Sequence, residues 1–421
     1  MHAALPPARP SRVSRLPGLM LILGATALAA IAGYLVIWLV PLRIGLADYA
    51  VFGLFWAAMY LLVSALSGIQ QEVTRATVPR PSPLAPRASP ARNFGVVASG
   101  GVFVSVVATA PFWVSAVFPE GGWSLVWPLA FAAASYVLVA TLAGTLYGIK
   151  AWGPLAAMIS VDAMLRLVLV AMVAGWTGDV VTLAWAAAAP FLLTIALLWP
   201  GFRSRVVGAT ALDVGYRALV WNVARTVGAA ASMGVLVSGL PVLIGIAAVG
   251  EDPATVAALF LAITITRAPV IVTVLSVQSY LVVRFLGHRA TFWRDFLAIQ
   301  AVIAIGGVLL ALAAWAWAPA VFDLLYRGGI DLPGWFYGVL VISSALVGAL
   351  AVSAPGVLAL SQHLVYSLGW VVAAIVTIGC FMLPFGLLAQ TVTALIAGPI
   401  AGLAVHASYL VTKRASIGAR G

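Results

Sequence analysis

Four charged residues interrupt runs that are otherwise apolar: Asp162, Arg166, Arg225 and Arg267. A charge at the centre of a membrane helix disfavours insertion by about 2.5–3.5 kcal/mol, so each of them needs a partner, water or a function. Arginine is the more informative type. Its planar guanidinium stays charged and donates in a fixed fork that suits phosphate or carboxylate oxygens. Arg166 follows Trp152 by 14 residues and Arg267 follows Pro253 by 14. On helices running in opposite directions, each then sits roughly 21 Å from the end of its span. Facing one aqueous cavity, both would serve as anion binders. Asp162 stands at i−4 from Arg166, so the two can also form a structural pair, a gate or a proton site. Arg267 has no such neighbour, and Pro269 two residues on suggests a hinge.

A second group lies nearer the span ends. Asn222, Arg225 and Ser232 form a polar stripe at i, i+3 and i+10, suited to a cavity wall. Arg225 is only about 10 Å into its span and can equally snorkel to the surface. Glu72, Arg75 and Arg284 occupy equivalent places at the ends of two spans, as inner gate, site of first anion capture or interfacial anchors. His288 and His363 lack metal-ligand spacing, and no cofactor is indicated. The lone Cys380 permits no intrachain disulfide.

The elements that must carry these residues are membrane spans. Of 421 residues, 64% are hydrophobic and 8% charged, with a mean hydropathy of +1.13. That excludes a water-soluble globular chain. The expectation is an all-α polytopic membrane protein of twelve transmembrane helices, in two six-helix bundles around a central cavity. The spans fall at Gly18–Val40, Tyr49–Ile69, Phe94–Phe118, Trp123–Gly148, Trp152–Ala174, Val180–Trp199, Ala218–Ala248, Ala254–Val283, Phe296–Phe322, Trp335–Leu360, Val365–Phe385 and Leu388–Val411. A tail over 1–16 precedes one bundle (17–200), a linker (201–217), a second bundle (218–411) and a tail over 412–421. Trp123, Trp127, Trp152, Trp176, Trp199 and Trp335 lie near span ends as an aromatic belt.

The net charge of +11 does not point to nucleic acid. Seventeen Lys and Arg fall in connections on one side, and only Arg43 and Arg327 on the other. This asymmetry places both termini in the cytoplasm of a multi-pass protein, and the arginine-rich composition suggests a bacterial inner membrane. The external connections are too short to enclose a soluble catalytic domain. The longest internal one, Gln70–Asn93, reads as a flexible tether.

The two halves echo one another. An ungapped overlay of Gly45–Phe55 on Gly250–Phe260, each read as an external hairpin, superposes Gly45, Val51, Leu54 and Phe55 on Gly250, Val256, Leu259 and Phe260. At these segments, at Gln70–Arg75 and at Arg267–Pro269, the chain resembles the polysaccharide flippase family of the multidrug, oligosaccharidyl-lipid and polysaccharide exporter superfamily. Ala50 and Ala257 depart from the glycine usual there. The resemblance implies a V-shaped pair of bundles that alternates access and moves a polyprenyl-diphosphate-linked oligosaccharide or polysaccharide precursor from the inner to the outer leaflet. It also implies a lipid-linked glycan and membrane lipids as binding partners, with a glycan polymerase or glycosyltransferases working alongside. An anionic cargo would be driven outward by an inside-negative potential, at about 2.3 kcal/mol per charge per 100 mV. The alternatives are a membrane-embedded glycosyltransferase or glycan polymerase, for which Asp48 is the candidate acid, and a small-molecule exporter. No catalytic residue is otherwise assigned.

Overall fold

The computed structural model describes residues 16–79, 90–119, 122–207, 210–287, 291–358, 360 and 362–412; the side chains of residues 16, 17, 19, 268–280, 282, 283, 286, 287 and 363 lie outside the description. Ten helices in it are long and apolar enough to cross a membrane, and two shorter apolar helical stretches, Pro253–Arg267 and Leu364–Cys380, stand at the eighth and eleventh expected spans.

In chain order the helices are α1 (Leu16–Ile44), α2 (Leu46–Ala76), α3 (Pro90–Thr109), α4 (Val114–Val117), α5 (Gly122–Gly148), α6 (Trp152–Trp176), α7 (Val180–Ala188) and α8 (Pro190–Val206). There follow α9 (Tyr216–Val237), α10 (Leu240–Ala247), α11 (Pro253–Gly287), α12 (Phe292–Tyr326), α13 (Gly334–Leu358), α14 (His363–Cys380) and α15 (Leu387–Thr412). Proline explains two of the breaks. Pro190 and Pro241 have no N–H to continue the ladder, so the sixth span is divided into α7 and α8 and the seventh into α9 and α10.

Two expected connections are corrected. The segment from Gly45 is no hairpin, because α1 runs to Ile44 and α2 starts at Leu46. Gly45 alone turns the chain, at φ 85, and Gly250 adopts φ 84 at the corresponding point of the second half. Only glycine reaches that region without strain, which gives the sequence echo a backbone counterpart. The tether expected from Gln70 is helical to Ala76 and continues into β1 (Thr77–Pro79). That strand pairs antiparallel with β2 (Thr210–Leu212) from the linker between the halves, Thr77 opposite Leu212.

Arg75, Lys150, Arg203, Arg205, Arg217, Arg284 and Arg294 mark one end of the bundle, called here the basic end. Arg43, Arg327 and most carboxylates of the connections mark the other. Trp123, Trp127, Trp176 and Trp335 are exposed near span ends, whereas Cys380 is core.

The long helix α2 joins the halves. At the basic end it lies along α9, a seam made close by small residues. A Cβ on Gly68 would fall 2.5 Å from the Thr226 carbonyl carbon, and one on Gly234 would fall 2.9 Å from Ser64 Cβ. Thr226 Oγ1 lies 3.0 Å from the Gly68 carbonyl oxygen, and the Oγ atoms of Ser64 and Ser238 are 3.3 Å apart. Towards the opposite end, α2 packs against α10 and α11, with Phe52, Phe55 and Met59 in one buried cluster with Leu240, Ile244 and Phe260. Between these two seams lies the site.

Candidate functional site

Arg166, in α6, is held almost completely. Its Nη1 and Nη2 donate to both carboxylate oxygens of Asp162 at 2.7 and 2.9 Å. Nε donates to the Ala187 carbonyl at 3.0 Å, and Nη1 also reaches the Tyr60 hydroxyl at 3.3 Å. Ala187 lies near the end of α7, three residues before Pro190. The Phe191 ring covers the guanidinium face, 4.3 Å from centroid to Cζ. Four of five N–H groups are engaged. This corrects the expectation of Arg166 as a free anion binder: the i, i+4 pair is closed, and no open fork faces the cavity. The pair lines a cavity of about 350 Å³ within the first half, between α1, α2, α5, α6 and α8, along with Tyr136 and Tyr147.

Arg267, in α11, repeats the arrangement with one member missing. Its Nη2 donates to the Leu236 carbonyl at 3.1 Å. Leu236 precedes the Pro241 kink much as Ala187 precedes that at Pro190. Here no carboxylate completes the site. Arg267 is 3% exposed, and its Nε and Nη1 have no hydrogen-bond partner among the described residues. It lines a second cavity, of about 290 Å³, between α1, α2, the α9–α10 kink and α11.

The other polar groups of the described residues on that wall are Tyr34, Tyr49, Trp56, Tyr60, Ser238 and Thr264, and no described carboxylate lines it. The Tyr34 hydroxyl is likewise buried without a partner. Tyr60 accepts from Arg166 and keeps its own proton to donate. The cavity therefore presents fixed positive charge and hydroxyl donors among apolar and aromatic walls, a setting for an anion carried on an amphiphile. The two cavities share Ala29, Gly33, Trp56 and Tyr60 as lining. Arg166 and Arg267 thus line adjoining cavities that have Tyr60 in common.

Likeness to other proteins agrees with this architecture. No family model matches the chain. It is 32% identical over 394 residues to "Uncharacterized protein Mb3654" of Mycobacterium bovis, covering 91% of this chain and 89% of the relative. "Uncharacterized protein Rv3630" of Mycobacterium tuberculosis matches at the same identity and coverage. The chain belongs to this mycobacterial family. "Uncharacterized protein Rv1510" of Mycobacterium tuberculosis is 29% identical over 394 residues, covering 92% of this chain and 90% of its own.

Among solved structures, the chain resembles an inward-facing multidrug resistance MATE family transporter of the MOP superfamily. The TM-score is 0.67 at 15% identity, over 94% of this chain and 99% of that one. It also resembles the lipid II flippase MurJ in an inward closed conformation, with a TM-score of 0.64 at 11% identity, over 93% and 90%. These likenesses establish the fold: an all-helical, multi-pass membrane protein with the MOP architecture.

The remaining expected site residues lie elsewhere. Glu72, 4% exposed, accepts from Arg75 Nε and Nη2 at 2.9 and 2.6 Å and from Asn222 Nδ2 at 2.9 Å. Asn222 therefore ties α9 to α2 and does not line the cavity. Arg225 is exposed on α9 and lines neither cavity. Arg284 pairs with Asp295 of α12 at 3.0 Å, and Glu72 with Arg75 at 2.6 Å. The expected positions of His288 and the His363 side chain, and the Pro269 side chain at the expected hinge, lie outside the described residues. Sequence reasoning missed Tyr34, Tyr60 and the carbonyls of Ala187 and Leu236. For the carbonyls the prolines gave only the neighbourhood, because a helical proline frees the acceptor four residues upstream, Ala186 or Val237, and not the ones used.

Proposed function

We propose that this chain is an alternating-access transporter that moves an anionic lipid across the membrane, specifically a polyprenyl-diphosphate-linked oligosaccharide or polysaccharide precursor, from the cytoplasmic to the external leaflet. The observation that carries this is Arg267, a buried guanidinium with Nε and Nη1 unpartnered among the described residues, on the wall of a cavity that no described carboxylate lines. Burying such a charge without an anion costs several kcal/mol on order-of-magnitude grounds, so a transient diphosphate is the natural counter-ion. Tyr34 and Tyr60 donate to the remaining oxygens, and Trp56 and Tyr49 offer faces to an attached sugar or isoprene. A cavity of this size takes part of a headgroup and not an entire glycolipid. The placement of cationic side chains supports cytoplasmic termini and thus the direction of transport.

One structural relative is a lipid II flippase, and another is a multidrug resistance transporter. Export of cationic small molecules is favoured by one feature, Asp162 on the first cavity. Both oxygens of Asp162 are occupied by Arg166, so a cation would have to displace a guanidinium held by three other groups. Among the described residues the external connections between helices are short, which weighs against a glycosyltransferase or polymerase.

The test is reconstitution. Proteoliposomes holding the full chain should expose a polyprenyl-diphosphate oligosaccharide from the inner leaflet, and Arg267→Gln should lower the rate at least roughly tenfold, the equivalent of one lost charge-assisted hydrogen bond. Unchanged translocation by the variant, or efflux of a cationic dye without lipid exposure, overturns the proposal.

A further inference from the structure

A third cavity, of about 360 Å³, lies outside the path between the two halves, in a groove between α3, α5 and α8. Its floor is apolar although threonines form part of it. Thr141 and Thr145 turn their hydroxyls onto the carbonyls of Val137 and Thr141, leaving methyl groups outward. Gly95 lets α3 approach closely, since a Cβ there would lie 2.9 Å from Thr141 Oγ1. Along α8 the lining extends from Leu192 to Val206, roughly 21 Å, which spans the ~15 Å hydrocarbon depth of one leaflet and its interface.

The mouth of the groove is at the basic end and is cationic. Arg92, in the first turn of α3, lines it. Its hydrogen bonds go to the neutral Asn93 Oδ1 at 3.2 and 3.4 Å. Arg203 lies four residues after Trp199 and three before Val206, both lining residues, and so falls on the same helical face. The positive end of the α3 dipole points the same way. Among the described residues no carboxylate lines the groove.

We propose that this groove binds an anionic glycerophospholipid of the leaflet at the basic end, one acyl chain lying along α8 and the phosphate held between Arg92 and Arg203. The site is separate from the transport cavity and takes a resident lipid, not the cargo. Charge complementarity at the mouth selects the headgroup, and the length of the apolar floor selects a chain over a soluble phosphate.

The full chain in detergent is titrated with phosphatidylglycerol, with phosphatidylcholine of the same acyl composition, or with soluble glycerol phosphate, and retained ligand is counted by native mass spectrometry. Phosphatidylglycerol should be retained in preference to the other two. Arg92→Gln and Arg203→Gln should each weaken it roughly fivefold, as expected for one cation near an anionic lipid. Ala196→Trp, which fills the groove, should reduce retention of both phospholipids while elution on size exclusion stays that of the folded protein. Equal retention of the two phospholipids, an unchanged affinity in the Arg92→Gln/Arg203→Gln variant, undiminished binding by Ala196→Trp, or equal binding of glycerol phosphate each overturns the proposal.

Discussion

The two buried arginines differ in one respect that decides their roles: Arg166 has Asp162, and Arg267 has no acid among the described residues. Removing one partner of a buried pair leaves an uncompensated charge, whereas removing both does not. Asp162→Ala should therefore cost about 3 kcal/mol or more of stability, and Asp162→Ala/Arg166→Met markedly less. Denaturant unfolding in detergent checks this, and equal losses would mean that the pair is not closed. In Arg267→Gln the opposite sign is expected: the apo protein should be no less stable, because a buried unpaired charge has been removed. At the far end of the first half, Asp179 caps α7, accepting from the Thr182 hydroxyl and from Thr182 N. Those two bonds hold its carboxyl below the usual range. A depressed pKa gives stability that is full above the unfolded value of about 3.9 and lost as pH falls through the folded value. Asp179→Ala should cost about 1 kcal/mol at neutral pH, and at a pH below the lowered value the gap to the unsubstituted protein should close. Thermal unfolding at both pH values measures it.

At the scale of elements, the α2–α9 seam is where access at the basic end would have to open. It is held by Glu72–Asn222, by the close approach at Gly68 and by Ser64 against Ser238. With Cys380 replaced by alanine, Ser64→Cys/Ser238→Cys should form a disulfide under mild oxidation and arrest transport, and reduction should restore it. Full transport by the cross-linked protein would show that this seam does not part. Near the kinks at Pro190 and Pro241 a backbone carbonyl in each half, that of Ala187 and that of Leu236, receives a membrane-depth arginine.

Across the whole molecule, the sequence carried the twelve spans and the asymmetry of charge, because hydrocarbon thickness and interfacial potential act on every segment independently. It also carried the Gly45–Gly250 correspondence, since a positive φ demands glycine. What it could not carry is which helices meet. Asp162 was visible as a partner for Arg166 because the two are one helical turn apart. The link from Asn222 to Glu72 spans 150 residues, and Tyr34 reaches the Arg267 cavity only through the packing of α1 against α2 and α11. The pairing of β1 with β2 was hidden for the same reason, with three residues on each side and no periodicity to reveal them. That Arg166 and Arg267 line adjoining cavities with Tyr60 between them in the lining was hidden as well, since equal depth in the bilayer does not fix which wall a side chain faces.

The most direct measurement is equilibrium binding of polyprenyl diphosphate to the purified full chain, with the uncharged polyprenol as comparison and Arg267→Gln alongside. Binding of the diphosphate well above that of the alcohol, and lost in Arg267→Gln but kept in Asp162→Ala/Arg166→Met, is the expected result. Equal affinity for diphosphate and alcohol, or diphosphate binding indifferent to Arg267, would contradict an anionic cargo seated between the two halves.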